Sequence, residues 1–143
     1  MNKILNSLWL APTLTFLVLA TGCQTIQSVF KPATAVVKID FQGEPAEVPV
    51  TVGRFFPNEE AVAGVKMIQA GQLDEALRKF EAAVAAKPKD WEARIALAAV
   101  QEAQGKFPEA KQNYLQANLD KGGQADENAQ AGIQRIDARL KSP

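Results

Sequence analysis

The chain has 143 residues, in which 16 basic residues balance 16 acidic ones, with one cysteine and no histidine. The missing imidazole removes the commonest general base and metal ligand, and a single thiol rules out an intrachain disulfide. Balanced charge with no cluster of Lys and Arg gives no electrostatic reason to expect a nucleic-acid partner.

At the N-terminus, Lys3 precedes an uncharged, apolar-leaning stretch over residues 4–20, interrupted by Pro12 and a few hydroxyls. It closes on Leu19-Ala20-Thr21-Gly22-Cys23. A basic start, an apolar middle and small residues before a cut are the layout of a secretory signal peptide. About 17 apolar-leaning residues is at the short limit for spanning a bilayer. The segment before Cys23 resembles the bacterial lipobox, with Ala20 where leucine is usual. That resemblance implies a diacylglyceryl group on the Cys23 thiol and a mature chain that begins there. In diderm bacteria an aspartate after the lipidated cysteine favours the inner membrane. Gln24 stands here, so the resemblance implies an outer-membrane lipoprotein facing the periplasm. Removing residues 1–22 as signal peptide leaves 121 residues, enough for one small domain.

Residues 23–34, polar and containing Pro32, read as a lipidated tether. The pattern then switches to period two. Ala35, Val37, Ile39 and Phe41 alternate with Val36, Lys38 and Asp40, and after Gln42-Gly43-Glu44-Pro45 a second run sets Val48, Val50 and Val52 against Glu47, Pro49 and Thr51. Two alternating runs around a Gly- and Pro-containing turn predict a β-hairpin over 35–53. Pro49 cannot donate on both sides of a ladder, so the second strand has an edge there. An isolated hairpin is marginal in water and must lie on the helices, dimerise or meet a partner.

Helices are expected from Asn58, which can cap, with Glu59 and Glu60 in the first turn complementing the helix dipole. Four follow, near 59–70, 73–87, 91–104 and 108–120, with Pro108 in the first turn of the fourth and Gly122-Gly123 ending it. A fifth, near 125–140, lines up Ala129, Ile133, Ile136 and Leu140 on one stripe. Within this region Gly71, Ala76, Phe80 and Ala83 recur 34 residues later as Gly105, Ala110, Tyr114 and Ala117. Such a period marks stacked helix–turn–helix units. Small residues at Gly64, Ala76 and Ala83 allow close helix approach, and Phe80 and Tyr114 fill the space left between them. These residues resemble the tetratricopeptide repeat. Ala63, Gly64 and Met67 serve the first helix of copy one, and Leu97 and Ala98 that of copy two. Copy two departs from the pattern at Gln101, where a large apolar residue is usual. Glu60 and Arg94 stand where the family has a tryptophan. The fold expected over 58–141 is mostly α: two repeats of antiparallel helix pairs plus a C-terminal capping helix, preceded by a short β-hairpin.

The resemblance implies a concave groove lined by the first helices of successive repeats. Mapped onto this chain, its protein-binding residues are Ala61, Val65, Ile68, Glu92, Ile95, Ala99, Glu102 and Ile133, an apolar floor carrying two carboxylates. Such a floor fits an apolar helix or extended segment with a basic residue or two. The plainer alternative buries Val65, Ile68, Ile133 and Ile136 between helices. No nucleophile elbow, metal-binding or phosphate-loop pattern occurs, and the paired carboxylates Glu59-Glu60, Asp74-Glu75 and Asp126-Glu127 fall at helix starts, where the dipole explains them. No catalytic residue, cofactor or metal is expected. The reading is a non-catalytic adaptor that binds a periplasmic or outer-membrane protein and holds the membrane through its acyl chains. The alternative is an envelope carrier or enzyme that handles a lipid or glycan with hairpin and groove together.

Overall fold

A computed structural model of the protein describes residues 31–41 and 44–141; the expected signal peptide and Cys23 lie outside them. Two antiparallel strands, β1 (Ala33–Phe41) and β2 (Glu44–Val52), are followed by five helices: α1 (Glu59–Gln69), α2 (Leu73–Ala86), α3 (Trp91–Ala103), α4 (Phe107–Asp120) and α5 (Glu127–Lys141). The hairpin begins two residues earlier than expected and the last helix two residues later. The register sets Val37 opposite Val48 and Ala35 opposite Val50, so the alternation read from the sequence places one apolar face on each strand.

Consecutive helices pack as antiparallel neighbours, and α5 also touches α3. Their ends are written locally. Asn58 accepts from the Ala61 amide, Asp90 from the Ala93 amide, and Asp126 from the Asn128 and Ala129 amides, so each first helix of a pair starts at a side-chain cap. Asn58 also donates to the Ala83 carbonyl and to Asp90 at 2.8 Å, which ties the starts of α1 and α3 to the end of α2. Gly71 and Gly105, at φ +74° and +75°, turn the chain at the ends of α1 and α3. The amides of Gln72 and Lys106 reach back to the Met67 and Gln101 carbonyls across these turns, as the left-handed helix end requires.

The repeat shows in the packing. Phe80 is fully buried against Gly64, and a Cβ built on that glycine would sit 2.8 Å from the ring. Tyr114 is fully buried against Gly132 in the same way, at 2.3 Å. Gly64 and Gly132 stand two repeat lengths apart, so one small-residue socket is used twice. Where the family has tryptophan, ion pairs join the helices instead. Glu60 meets Lys79 at 3.0 Å between α1 and α2, and Arg94 meets Asp120 at 2.7 Å between α3 and α4. The polar departure at Gln101 is buried and matched, since its carbonyl accepts from Asn113 at 2.8 Å.

The hairpin lies on the helices. Both strands contact α1 and α3. Val37, Ile39, Val48, Val50 and Val52 share one buried cluster with Ala61, Val65, Ile68, Phe80, Leu97 and Ala99. Fully burying a side chain of this kind contributes about 1.5–3 kcal/mol, which is what lets a two-stranded sheet persist. A second cluster gathers Ile95, Ala98, Ala110, Tyr114, Ala117, Ala129 and Ile136.

Candidate functional site

The face formed by α1 and α3, the first helices of the two pairs, is where the groove was expected, and the hairpin occupies it. Ala61, Val65, Ile68 and Ala99 are buried beneath the strands and line no open groove. The cause is the pattern over 33–52, whose valines and isoleucine make an apolar face of the size these helices leave uncovered. Ile95 is buried in the second cluster, and Ile133 is half-buried against it.

The two carboxylates expected on the floor are both internal. Glu102 is 1 % exposed and accepts two hydrogen bonds from Arg135, each at 2.9 Å, and one from the Tyr114 hydroxyl at 2.9 Å. Burial lowers the Arg135 pKa, but the hydrogen bonds and charge of Glu102 outweigh it and hold the guanidinium above its ordinary value. Burial, reinforced by the Glu102 charge and hydrogen bond, raises the Tyr114 phenol far above its usual range. The Tyr114 hydroxyl points inward because Glu102 accepts its hydrogen bond. Glu102 therefore belongs to an α3–α4–α5 lock and offers no free charge to a ligand.

Glu92 sits where the chain leaves β2. Its Oε2 accepts the Arg54 and Phe55 amides at 2.9 and 3.2 Å, and its Oε1 lies 4.0 Å from Arg54 Nε. Burial raises its pKa, with the nearby Asp90 charge adding to the rise and the two amides opposing it. The carboxylate fastens the hairpin's exit to α3. A small cleft opens beside it, lined by Pro49, Thr51, Trp91, Glu92, Ile95 and Asp126, with a volume of about 60 Å³. Phe55 is 61 % exposed and tilts against Trp91 at 5.5 Å, while the Lys121 ammonium lies over the Trp91 ring at 4.5 Å and pairs with Asp126 at 2.8 Å. Of the expected groove residues, Glu92 and Ile95 border this opening. Trp91 and Phe55 were not singled out in the sequence, because they come together from a helix start and a loop 36 residues apart.

Of the expected stripe on α5, Ala129 and Ile136 are buried, whereas Leu140 is exposed. Among the described residues no three His, Cys, Asp or Glu side chains converge as a metal site would require.

A stack of antiparallel helix pairs with a buried ring on the second helix of each defines a helical-repeat protein. The comparison with known families agrees, since residues 67–136 match the tetratricopeptide repeat. The match supports a tetratricopeptide-repeat protein, and members of that family are protein-interaction modules and typically non-catalytic scaffolds. Neither the curated proteins nor the solved structures gave a match.

Proposed function

We propose that the protein is a non-catalytic adaptor, anchored in the outer membrane by acyl chains on Cys23, that positions a periplasmic or outer-membrane protein partner in the assembly of an envelope, pilus or secretion complex. The observation that carries the reading is the tetratricopeptide repeat at 67–136, a module built to hold another protein. The lipobox resemblance at Leu19–Cys23 and the identity of Gln24 support the anchor and its membrane. Among the described residues, no helix is long and apolar enough to cross a membrane.

With the hairpin on α1 and α3, the partner's contact is assigned to the open end of the concave side, where Phe55 and Trp91 present ring surface next to Glu92 and Ile95. Aromatic side chains at the centre of a desolvated patch dominate binding energy at most interfaces. The cleft at this place would not fit a lipid or glycan. Its roughly 60 Å³ falls well below the about 300–1,000 Å³ of small-molecule sites.

The test uses the intact protein in its own membranes. Cys23→Ala should abolish acyl labelling, and Gln24→Asp should move the protein toward the inner membrane. A photo-crosslinking residue at position 55 should give a protein adduct, whereas one at exposed position 81 should not. Normal palmitate incorporation by Cys23→Ala would end the lipoprotein reading. Equal adducts from both positions would end the assignment of the contact.

A further inference from the structure

The two outer edges of the hairpin are chemically unlike, and the difference follows from one hydrogen bond. Gln69 of α1 donates through Nε2 to the Thr34 carbonyl at 2.8 Å, so the Thr34 backbone faces away from β2. Backbone groups of successive strand residues face opposite edges, so those of Val36, Lys38 and Asp40 also point outward from β1. Their register partners Pro49, Glu47 and Pro45 point outward from β2 in the same way. The donors that the two prolines lack are thus missing from the outer edge of β2, which is blunted as exposed sheet edges commonly are.

The outer edge of β1 has no such protection. No proline occurs in 33–41, and among the described residues Gln69 is the one group that hydrogen-bonds this edge. Beside it runs a groove of about 340 Å³ lined by Val36, Lys38, Ile68, Gln69 and Leu73. Val36 is 48 % exposed on the outward face, and Lys38 and Asp40 flank Ile39 on the same face.

We propose that this edge pairs with β1 of a second copy of the chain, antiparallel, about a two-fold axis at Ile39. The charges select the occupant and the register. A two-fold axis at Ile39 sets Lys38 opposite Asp40 of the second copy and repeats the pair on the other side. Both residues have outward-facing backbone groups, so each pair exchanges two backbone hydrogen bonds and brings an ammonium against a carboxylate. An axis at Lys38 or Asp40 would place like charges together, and an axis at Val36 or Val37 would displace Gln69 from Thr34. The Ile39 register avoids both and merges two hairpins into one four-stranded sheet. The pairing stands independently of the partner reading above.

The experiment is zero-length carbodiimide crosslinking of the full-length protein in membranes, with native mass spectrometry of the detergent-extracted chain. The expected product is a dimer whose linked peptides join residue 38 of one copy to residue 40 of the other. Lys38→Glu or Asp40→Lys alone should lower the dimer fraction about tenfold, since each change creates two like-charged pairs. The exchange of both, Lys38→Glu with Asp40→Lys, should restore native dimer. Lys38→Pro provides a second arm, because it removes an outward donor and leaves the bonds to β2 in place. A chain that stays monomeric, or a dimer indifferent to both charges and to Lys38→Pro, would overturn the proposal. Adducts at position 38 with an unlike protein and none with a second copy would also overturn it, assigning the edge to a foreign strand.

Discussion

The two repeats bury their central rings against opposite backgrounds. Phe80 lies in a cluster of valines, alanines, leucine and isoleucine, about a third of it supplied by the hairpin. Tyr114 lies one repeat further on, where its hydroxyl completes a buried network with Glu102 and Arg135. The first half is held by non-directional burial, which tolerates changes of shape. The second is held by directed bonds whose members cannot be removed singly without stranding a charge. A chain that closes its concave side with valines at one end and an ion pair at the other should respond unequally to mutation at the two ends.

The largest effect is expected from Glu102→Lys, which replaces the acceptor of three hydrogen bonds with a cation facing Arg135. Breaking a buried pair costs about 3–5 kcal/mol, and this change also adds repulsion. Denaturant titration should show a loss of at least that size, and a variant as stable as the parent would mean that the lock contributes nothing. Ile39→Ala follows, at about 2–5 kcal/mol, although it lies in a hairpin outside the repeat. A cost below about 0.5 kcal/mol, typical of surface positions, would show the strands to be peripheral.

Gly132→Ala and Gly64→Ala probe the two sockets directly. Each forces a methyl group into a ring, and overpacking of this kind costs about 1–3 kcal/mol. The shorter approach at Gly132, 2.3 Å against 2.8 Å, makes it the more damaging of the two in thermal melts.

The smallest effect concerns Glu92, whose folded pKa is raised above its unfolded value, chiefly by burial. The native state therefore binds the proton more tightly than the unfolded chain. Stability contributed by this group falls as pH rises from the unfolded carboxylate range through the folded pKa, and is level above it. Glu92→Gln, which keeps an oxygen acceptor for the Arg54 and Phe55 amides, should gain on the parent between pH 4 and pH 7 in paired denaturation curves. A gain in the opposite direction would mean that the two amides outweigh burial.

Much of the fold was legible because its signals are local. The glycines at 71 and 105, the cap at Asn58 and the period-two valines each act within a few residues, and the helix bounds came within two residues of those observed. The 34-residue recurrence exposed the two buried rings, since Tyr114 falls 34 residues after Phe80. What the sequence left open was where the hairpin rests. Val48 and Val65 each read as apolar and inward, but neither pattern says that one covers the other. The fate of Glu102 depended on Arg135, 33 residues away, which a one-helix reading places on a polar back. Tyr114 was read as a wedge between helices, and the acceptor of its hydroxyl could not be seen. Sites assembled across elements, such as Phe55 on Trp91, were hidden for the same reason.

The central claim is that the hairpin is the resident of the concave face and one cooperative body with the repeats. Native-state hydrogen exchange tests it most directly, comparing the inward amides of Val37 and Val48 with those of Val65 and Leu97 in the helices beneath. If the claim holds, all four open only with global unfolding, and Ile39→Ala lowers their protection together. Strand amides that exchange orders of magnitude faster, while α1 and α3 stay protected, would contradict it and leave the groove available to other ligands.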